Sequence, residues 1–257
     1  PKLGLSYQIF NEGVLYVSIA RTGREPAKYD MFEGNDILSY VEYDWDTYQY
    51  IGPEYGNDLI DVKPEFVNDL EIGFRTTFEK GSINLNYFYM DFKNERVLNG
   101  QTGPSGLDLR SRIDNSTRTG VEFFGEVFPM KNLIFTNNSS YNYSRIEQDN
   151  IEFTPILTPK FIINQEISYL LNNLTINLSA RYQSESYINF ANSESIKDYF
   201  ILNARIDYKI RNYYASLFVN NLTDAEYFNK GEINKDELRS YWVQTPRNVY
   251  VSLRCEF

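Results

Sequence analysis

Asn248-Val249-Tyr250-Val251-Ser252-Leu253-Arg254-Cys255-Glu256-Phe257 alternates without a break in phase. Successive side chains of an extended chain point to opposite sides, so Val249, Val251, Leu253, Cys255 and Phe257 share one face, and Asn248, Tyr250, Ser252, Arg254 and Glu256 the other. The same pattern sets Leu174, Ile176, Leu178, Ala180 and Tyr182 against Thr175, Asn177, Ser179, Arg181 and Gln183. It recurs with Phe200, Leu202, Ala204, Ile206 and Tyr208 against Ile201, Asn203, Arg205 and Asp207. These are strands with one apolar and one polar side.

Weaker alternation runs through Leu3–Phe10, Val14–Arg21, Phe66–Phe78, Ile83–Lys93, Thr119–Phe128, Leu133–Tyr143, Phe161–Leu171 and Tyr213–Leu222, predicting about eleven strands in all. Several exceed the usual globular length of about 5 to 6 residues and approach the roughly 9 to 11 that cross a membrane. The connections sort themselves. Asn11–Gly13, Glu79–Gly81, Pro129–Asn132, Asn172-Asn173 and Arg211-Asn212 are tight, and they alternate with the long polar stretches 22–65, 94–118, 146–159, 184–198 and 223–246. Short turns at one end and long loops at the other are the signature of a transmembrane antiparallel β-barrel, with the turns periplasmic and the loops extracellular. Single-chain bacterial barrels close with an even strand number, so an odd eleven predicts part of a larger barrel spread over residues 1–257.

Composition narrows the function classes. Histidine is absent, which removes imidazole bases, His-based triads and His metal ligands. The net charge of −10 lacks the cationic footprint a nucleic-acid partner needs. The single cysteine, Cys255, forms no internal disulfide. No run is apolar for the roughly 18 to 20 residues of a spanning helix. A mean hydropathy of −0.47 does not oppose a barrel, whose alternation averages lipid-facing and wet residues. Neither paired carboxylates, a Cys cluster nor a Gly-rich phosphate loop appears at useful spacing, and the expectation is a non-enzyme without cofactor.

Short motifs carry a family resemblance. Ser18–Pro26, with Arg24-Glu25-Pro26, resembles a strand-to-loop motif of TonB-dependent receptors. Lys63-Pro64-Glu65 followed by Asp69–Arg75 is similar to their KPE strand, and Gly120-Val121-Glu122 to their GVE strand. Thr158-Pro159-Lys160, Asn221-Leu222-Thr223-Asp224 with Tyr227, and Pro246-Arg247 follow in the family's order. The resemblance implies a 22-stranded outer-membrane barrel behind an N-terminal plug, of which this chain supplies the C-terminal half, with the acidic, Asn- and Tyr-rich character of Bacteroidetes members. It implies import of a scarce nutrient (ferric siderophore, haem, cobalamin or oligosaccharide) with energy from TonB, which would act through a segment upstream of Pro1. It also implies that Phe257 is the signal read by the barrel-assembly machinery, and it leaves room for a surface lipoprotein partner. A passive porin and a soluble all-β carbohydrate-binding module are the competing readings.

Candidate ligand contacts lie in the long loops. Residues 29–61 hold Asp30, Glu33, Asp36, Glu42, Asp44, Asp46, Glu54, Asp58 and Asp61 with no Lys or Arg, interleaved with Tyr40, Tyr43, Trp45, Tyr48 and Tyr50. Aromatics there suit stacking, and the carboxylates suit a hydroxyl-rich ligand or Ca2+; a solvated acidic loop is the bland reading. Arg24 is expected either to pair with Glu25 at the rim or to face ligand. Trp242 is expected to contact ligand or to sit at headgroup level. Asn177, Arg181, Asn203, Arg205 and Asp207 are expected either to line a transport path or to form a hydrogen-bonded wall against a plug.

Overall fold

The computed structural model describes residues 1–25, 42–44, 49–51, 63–102, 108–148, 151–233 and 238–256, and every described element is a strand. In order these are β1 (Lys2–Phe10), β2 (Gly13–Arg24), β3 (Glu42–Asp44), β4 (Gln49–Ile51), β5 (Glu65–Phe78), β6 (Gly81–Thr102), β7 (Asp108–Met130), β8 (Leu133–Gln148) and β9 (Ile151–Phe153). They continue with β10 (Phe161–Leu171), β11 (Leu174–Gln183), β12 (Ser186–Tyr187), β13 (Ser195–Ile196), β14 (Tyr199–Ile210), β15 (Tyr213–Asn220), β16 (Phe228–Ile233), β17 (Arg239–Val243) and β18 (Asn248–Cys255).

Twelve strands form one sheet. Setting aside β9, which pairs only with β8, the other eleven run β1-β2-β5-β6-β7-β8-β10-β11-β14-β15-β18, each antiparallel to its neighbour. Within this sheet the expected eleven strands are all present, and β1 and β18 are its two edges. At one end the chain turns through two residues each time: Asn11-Glu12, Glu79-Lys80, Lys131-Asn132, Asn172-Asn173 and Arg211-Asn212. Asn132 and Asn172 take positive φ there, a conformation Asn tolerates because its short side chain bonds locally.

Register turns the alternation into two surfaces. Val127, Phe135, Ile167, Leu178, Ala204, Val219 and Val249 lie opposite one another in sequence across seven strands. On the other side Ser168, Asn177, Arg205, Phe218 and Tyr250 form a corresponding row. The apolar face is not packed inward: Leu253 is 79 % exposed, Leu5 68 % and Val251 63 %. A sheet that turns its apolar side chains outward needs a nonaqueous surrounding, since about 25 cal/mol is lost for each Å² of apolar surface left in water. Tyr87, Tyr89, Tyr141, Tyr143, Phe161 and Phe200 edge this face toward the long connections. Phe78, Tyr169, Tyr208 and Tyr213 edge it toward the turns. Among the described residues no helix is long and apolar enough to cross a membrane.

The polar face bonds to itself as expected. Ser168 donates to Asn177 at 2.6 Å, Arg181 to Asn164 at 2.9 Å, and Ser216 to Asp207 at 2.6 Å, while Arg205 pairs with Asp207 at 2.8 Å. Asn203 accepts the Asn221 amide at 2.9 Å.

The long connections correct the expectation of plain polar loops. β6 and β7 run on past Lys93 as a paired hairpin, from Glu95 opposite Ile113 to Thr102 opposite Asp108, through most of the stretch 94–118. β8 likewise runs to Gln148, where β9 folds back on it. The stretches 184–198 and 223–246 contain the hairpins β12–β13 and β16–β17, and 22–65 contains β3–β4. The β6–β9 projection has an interior of its own, in which Val97, Ile113 and Ile146 are buried against Phe153 and Phe190.

Candidate ligand-capture site

The loop end is organised from the strand tips upward. At the tip of β2, Arg24 pairs with Glu65 at 3.2 Å, and the same carboxylate oxygen accepts the Arg96 amide at 3.1 Å. This corrects the expected Arg24–Glu25 pair: the partner comes from across the sheet because Arg24 stands opposite Glu65 in the β2–β5 ladder. Arg24 is therefore a tie among β2, β5 and β6.

Beyond it lies a buried charge centre. Glu95, 4 % exposed, accepts hydrogen bonds from Ser116 and Arg118, and the Arg118 guanidinium stands 4.6 Å from the centre of the Phe92 ring. Burial raises the Glu95 carboxyl above the usual carboxylate range, while Arg118 and Ser116 pull it down. Glu95 and Arg118, with Arg96, Arg110, Pro155, Ile156 and Thr158, line a cavity of about 210 Å³ in the part of the hairpin that projects past the wall.

A second, larger cavity of about 450 Å³ opens between the β13 and β16–β17 segments. It is lined by Ser195, Ile196, Lys197, Asp198, Glu226, Tyr227, Phe228 and Tyr241. Its rings are held by one another: Tyr199 lies 4.8 Å from Tyr227, and Phe228 5.1 Å from Tyr241. Burial, with Tyr199 next in weight, raises the Tyr227 hydroxyl above its ordinary value, so at neutral pH it keeps its proton and can donate. Aromatic faces, a lysine and two carboxylates around one opening suit a ring-bearing or hydroxyl-rich molecule.

Two fastenings hold this opening. Asn221 is 3 % exposed; its amide donates to the Ala225 carbonyl at 2.8 Å, and its side-chain oxygen accepts the Ala225 N–H at 2.9 Å and the Thr223 hydroxyl at 3.3 Å. Asp224 accepts the Arg247 N–H at 2.9 Å, which clamps the start of the connection to its end. The NLTD and PR motifs thus meet in space as one knot. Ile188, fully buried, sits between the β6 tip and β16, where a Cβ on Gly100 would come within 2.5 Å of the Ile188 carbonyl. Gly100 also has φ of +86°, which a side chain rarely adopts.

Of the expected ligand contacts, Trp242 stands in β17, 41 % exposed, with the Lys230 ammonium 4.7 Å from its ring. Tyr43, Asp44 and Tyr50 belong to the β3–β4 ladder, with Tyr43 opposite Tyr50. Trp45, Asp46, Tyr48 and the remaining acidic residues proposed for Ca2+ lie outside the described residues, apart from Glu42 in β3, and so does Phe257. Sequence reading missed Glu95 and the cavity partners Lys197, Asp198 and Phe228. They fall in or beside the long polar stretches, where neither period nor motif marks them.

Comparison with known proteins agrees with this geometry. The family model described as TonB dependent receptor-like, beta-barrel, matches residues 1–222. The ferric yersiniabactin uptake receptor FyuA from Yersinia pestis superposes with a TM-score of 0.75 at 16% identity, over 100% of this chain and 37% of that one. The copper transporter OprC gives 0.77 at 12% identity, over 100% and 39%. The ferric enterobactin receptor PfeA from Pseudomonas aeruginosa gives 0.70 at 18%, over 100% and 40%. The chain thus spans between a third and two fifths of the length of these structures.

Proposed function

We propose, from the premise that this chain belongs to the TonB dependent receptor-like β-barrel family, that it forms part of the outer-membrane wall of an energised nutrient importer. The observation that carries the reading is the union of two features in one sheet. Eleven strands turn apolar side chains outward and a bonded polar surface inward, and the connections at one end fold over that surface around a cavity lined by Tyr227, Phe228 and Tyr241.

The wall is the rigid part. Its ladder pairs each strand between the edges β1 and β18 on both sides, as a lipid surrounding requires. Capture falls to the loop end, where ring faces and paired charges meet a ligand from outside. The nutrient is a scarce metal carried as a chelate, as suits the neighbours named for ferric siderophores and copper. Aromatic stacking and cavity polarity suit a chelator with ring or hydroxyl groups. Release toward the periplasm uses energy delivered through TonB, acting on a part of the receptor outside this chain.

The test is uptake of radiolabelled iron chelates and of copper by cells with and without the gene, each with and without a protonophore. The proposal expects one of these substrates to lose its energised uptake on deletion and to regain it on complementation. Unchanged accumulation of all of them, or accumulation indifferent to the protonophore, would refute it.

A further inference from the structure

Charge is divided along the chain as sharply as hydropathy. The long connections 22–65, 94–118, 146–159, 184–198 and 223–246 together hold 25 Asp and Glu against 11 Lys and Arg, a net charge of −14. The rest of the chain, its strands and tight turns, holds the other 10 acidic and 14 basic residues, a net charge of +4. The loop end thus carries more than the whole −10 of the chain. Several of its few cations are committed to fastenings: Arg24 to Glu65, Arg118 to Glu95, Arg112 to Asp114 and Arg239 to Glu194. An end of one sign raises the local concentration of ligands of the opposite sign and turns away those of its own.

The cavity between β13 and β16–β17 repeats this balance at close range. Its lining sets Asp198 and Glu226 against Lys197. Among the described residues no donor reaches the exposed Glu226 carboxylate, and Asp198 accepts only the Tyr182 hydroxyl, at 3.4 Å. Both carboxylates therefore keep their capacity for a cation. A volume of about 450 Å³ falls within the roughly 300–1,000 Å³ of small-molecule sites.

The rings act in the same direction. An aromatic face carries the negative end of its quadrupole and attracts a cation within about 6 Å. Trp242 of the same hairpin is used in this way, with the Lys230 ammonium 4.7 Å from its centre. Tyr227, Phe228 and Tyr241 offer three further rings beside the two carboxylates. Rings and carboxylates around one opening form a cage for a positive group, whereas an anionic ligand would meet like charge there and along the approach.

We propose that this cavity selects metal chelates that bear a positive charge, seating an ammonium or guanidinium group against Tyr227, Phe228 and Tyr241 with Asp198 and Glu226 as counter-ions. The inference rests on the importer reading and narrows its substrate. It is tested by calorimetry on the full receptor in detergent micelles. Three probes are used: a ferric trihydroxamate with a free terminal ammonium, the same chelate N-acetylated, and a trianionic ferric tricatecholate. The ammonium form should bind at least about tenfold tighter than its acetylated counterpart, the tricatecholate should bind weakest, and the ratio should shrink in high salt. Asp198→Asn combined with Glu226→Gln should cut that ratio several-fold, and Lys197→Gln should raise it. Retained heat-modifiable migration on gels shows that the variants are folded. Equal binding of the two trihydroxamates, tighter binding of the tricatecholate, no binding of the ammonium form, or a ratio unmoved by the carboxylate variants would overturn the inference. The importer reading fails separately, when none of the substrates loses energised uptake on deletion of the gene.

Discussion

Replacing Asn221 by Ala should open the capture end without opening the wall. The side chain makes four bonds to the stretch it folds, two of them at 2.8 and 2.9 Å to Ala225, and it is almost fully buried. Truncation strands the Ala225 N–H and carbonyl in a site with little water. A net loss of about 1 kcal/mol per bond, with further desolvation cost for the stranded groups, gives about 2–4 kcal/mol. At 1.4 kcal/mol per decade, local opening of the stretch 223–246 should rise roughly 30- to 1000-fold. Hydrogen exchange on the receptor in detergent or nanodiscs reads this directly, with Asn138→Ala on the polar face as the control. Faster exchange confined to 223–246 is expected. No acceleration there, or equal acceleration in β10, β11 and β14, would refute the idea that Asn221 fastens the loop and nothing else.

Arg118→Met should destabilise the β6–β7 projection by about 2–3 kcal/mol, because it leaves the Glu95 carboxylate buried without its cation; a thermal melt of the variant against Glu95→Gln, which should cost less, checks this. The raised Glu95 carboxyl means the folded hairpin holds a proton to higher pH than the unfolded chain does. Its resistance to opening should therefore be greatest in mild acid and fall as pH rises from 4.5 through the raised value, a trend seen by exchange at 95–113 and absent in Glu95→Gln. Tyr227→Ala and Tyr241→Ala should each lower ligand affinity by roughly tenfold through a lost ring face, measured as the shift in half-saturating chelate during uptake.

Much of the wall was legible before any coordinates. β11, β14 and β18 keep strict alternation because one side meets a uniformly apolar surrounding and the other a bonded polar one. β8 and β10 read more weakly for a reason now visible: Asn137, Ser139 and Gln165 interrupt the apolar side at its centre. The loop end was hidden. Arg96, Arg110 and Arg112 in the β6–β7 projection made a paired hairpin look like solvated loop, although Val97 and Ile113 beside them are buried. That interior is built from distant segments, with Phe153 and Phe190 packed on Val97, Ile113 and Ile146, and no local period encodes such a meeting. The NLTD and PR motifs were visible as letters, but their joint role required seeing Asp224 bond to Arg247.

The most direct test of the whole account is cysteine scanning along β18 in outer membranes of cells making the intact receptor. Single cysteines at Val249, Tyr250, Val251, Ser252 and Leu253, in a background with Cys255 replaced by serine, are labelled with a membrane-partitioning and a charged, water-soluble maleimide. If the sheet is a membrane wall, Val249, Val251 and Leu253 take the membrane-partitioning reagent, while Tyr250 and Ser252 favour the charged one or are shielded on the inward side. Labelling of all five by the charged reagent with no alternation would contradict it, and the apolar face would then have to be covered by protein rather than by lipid.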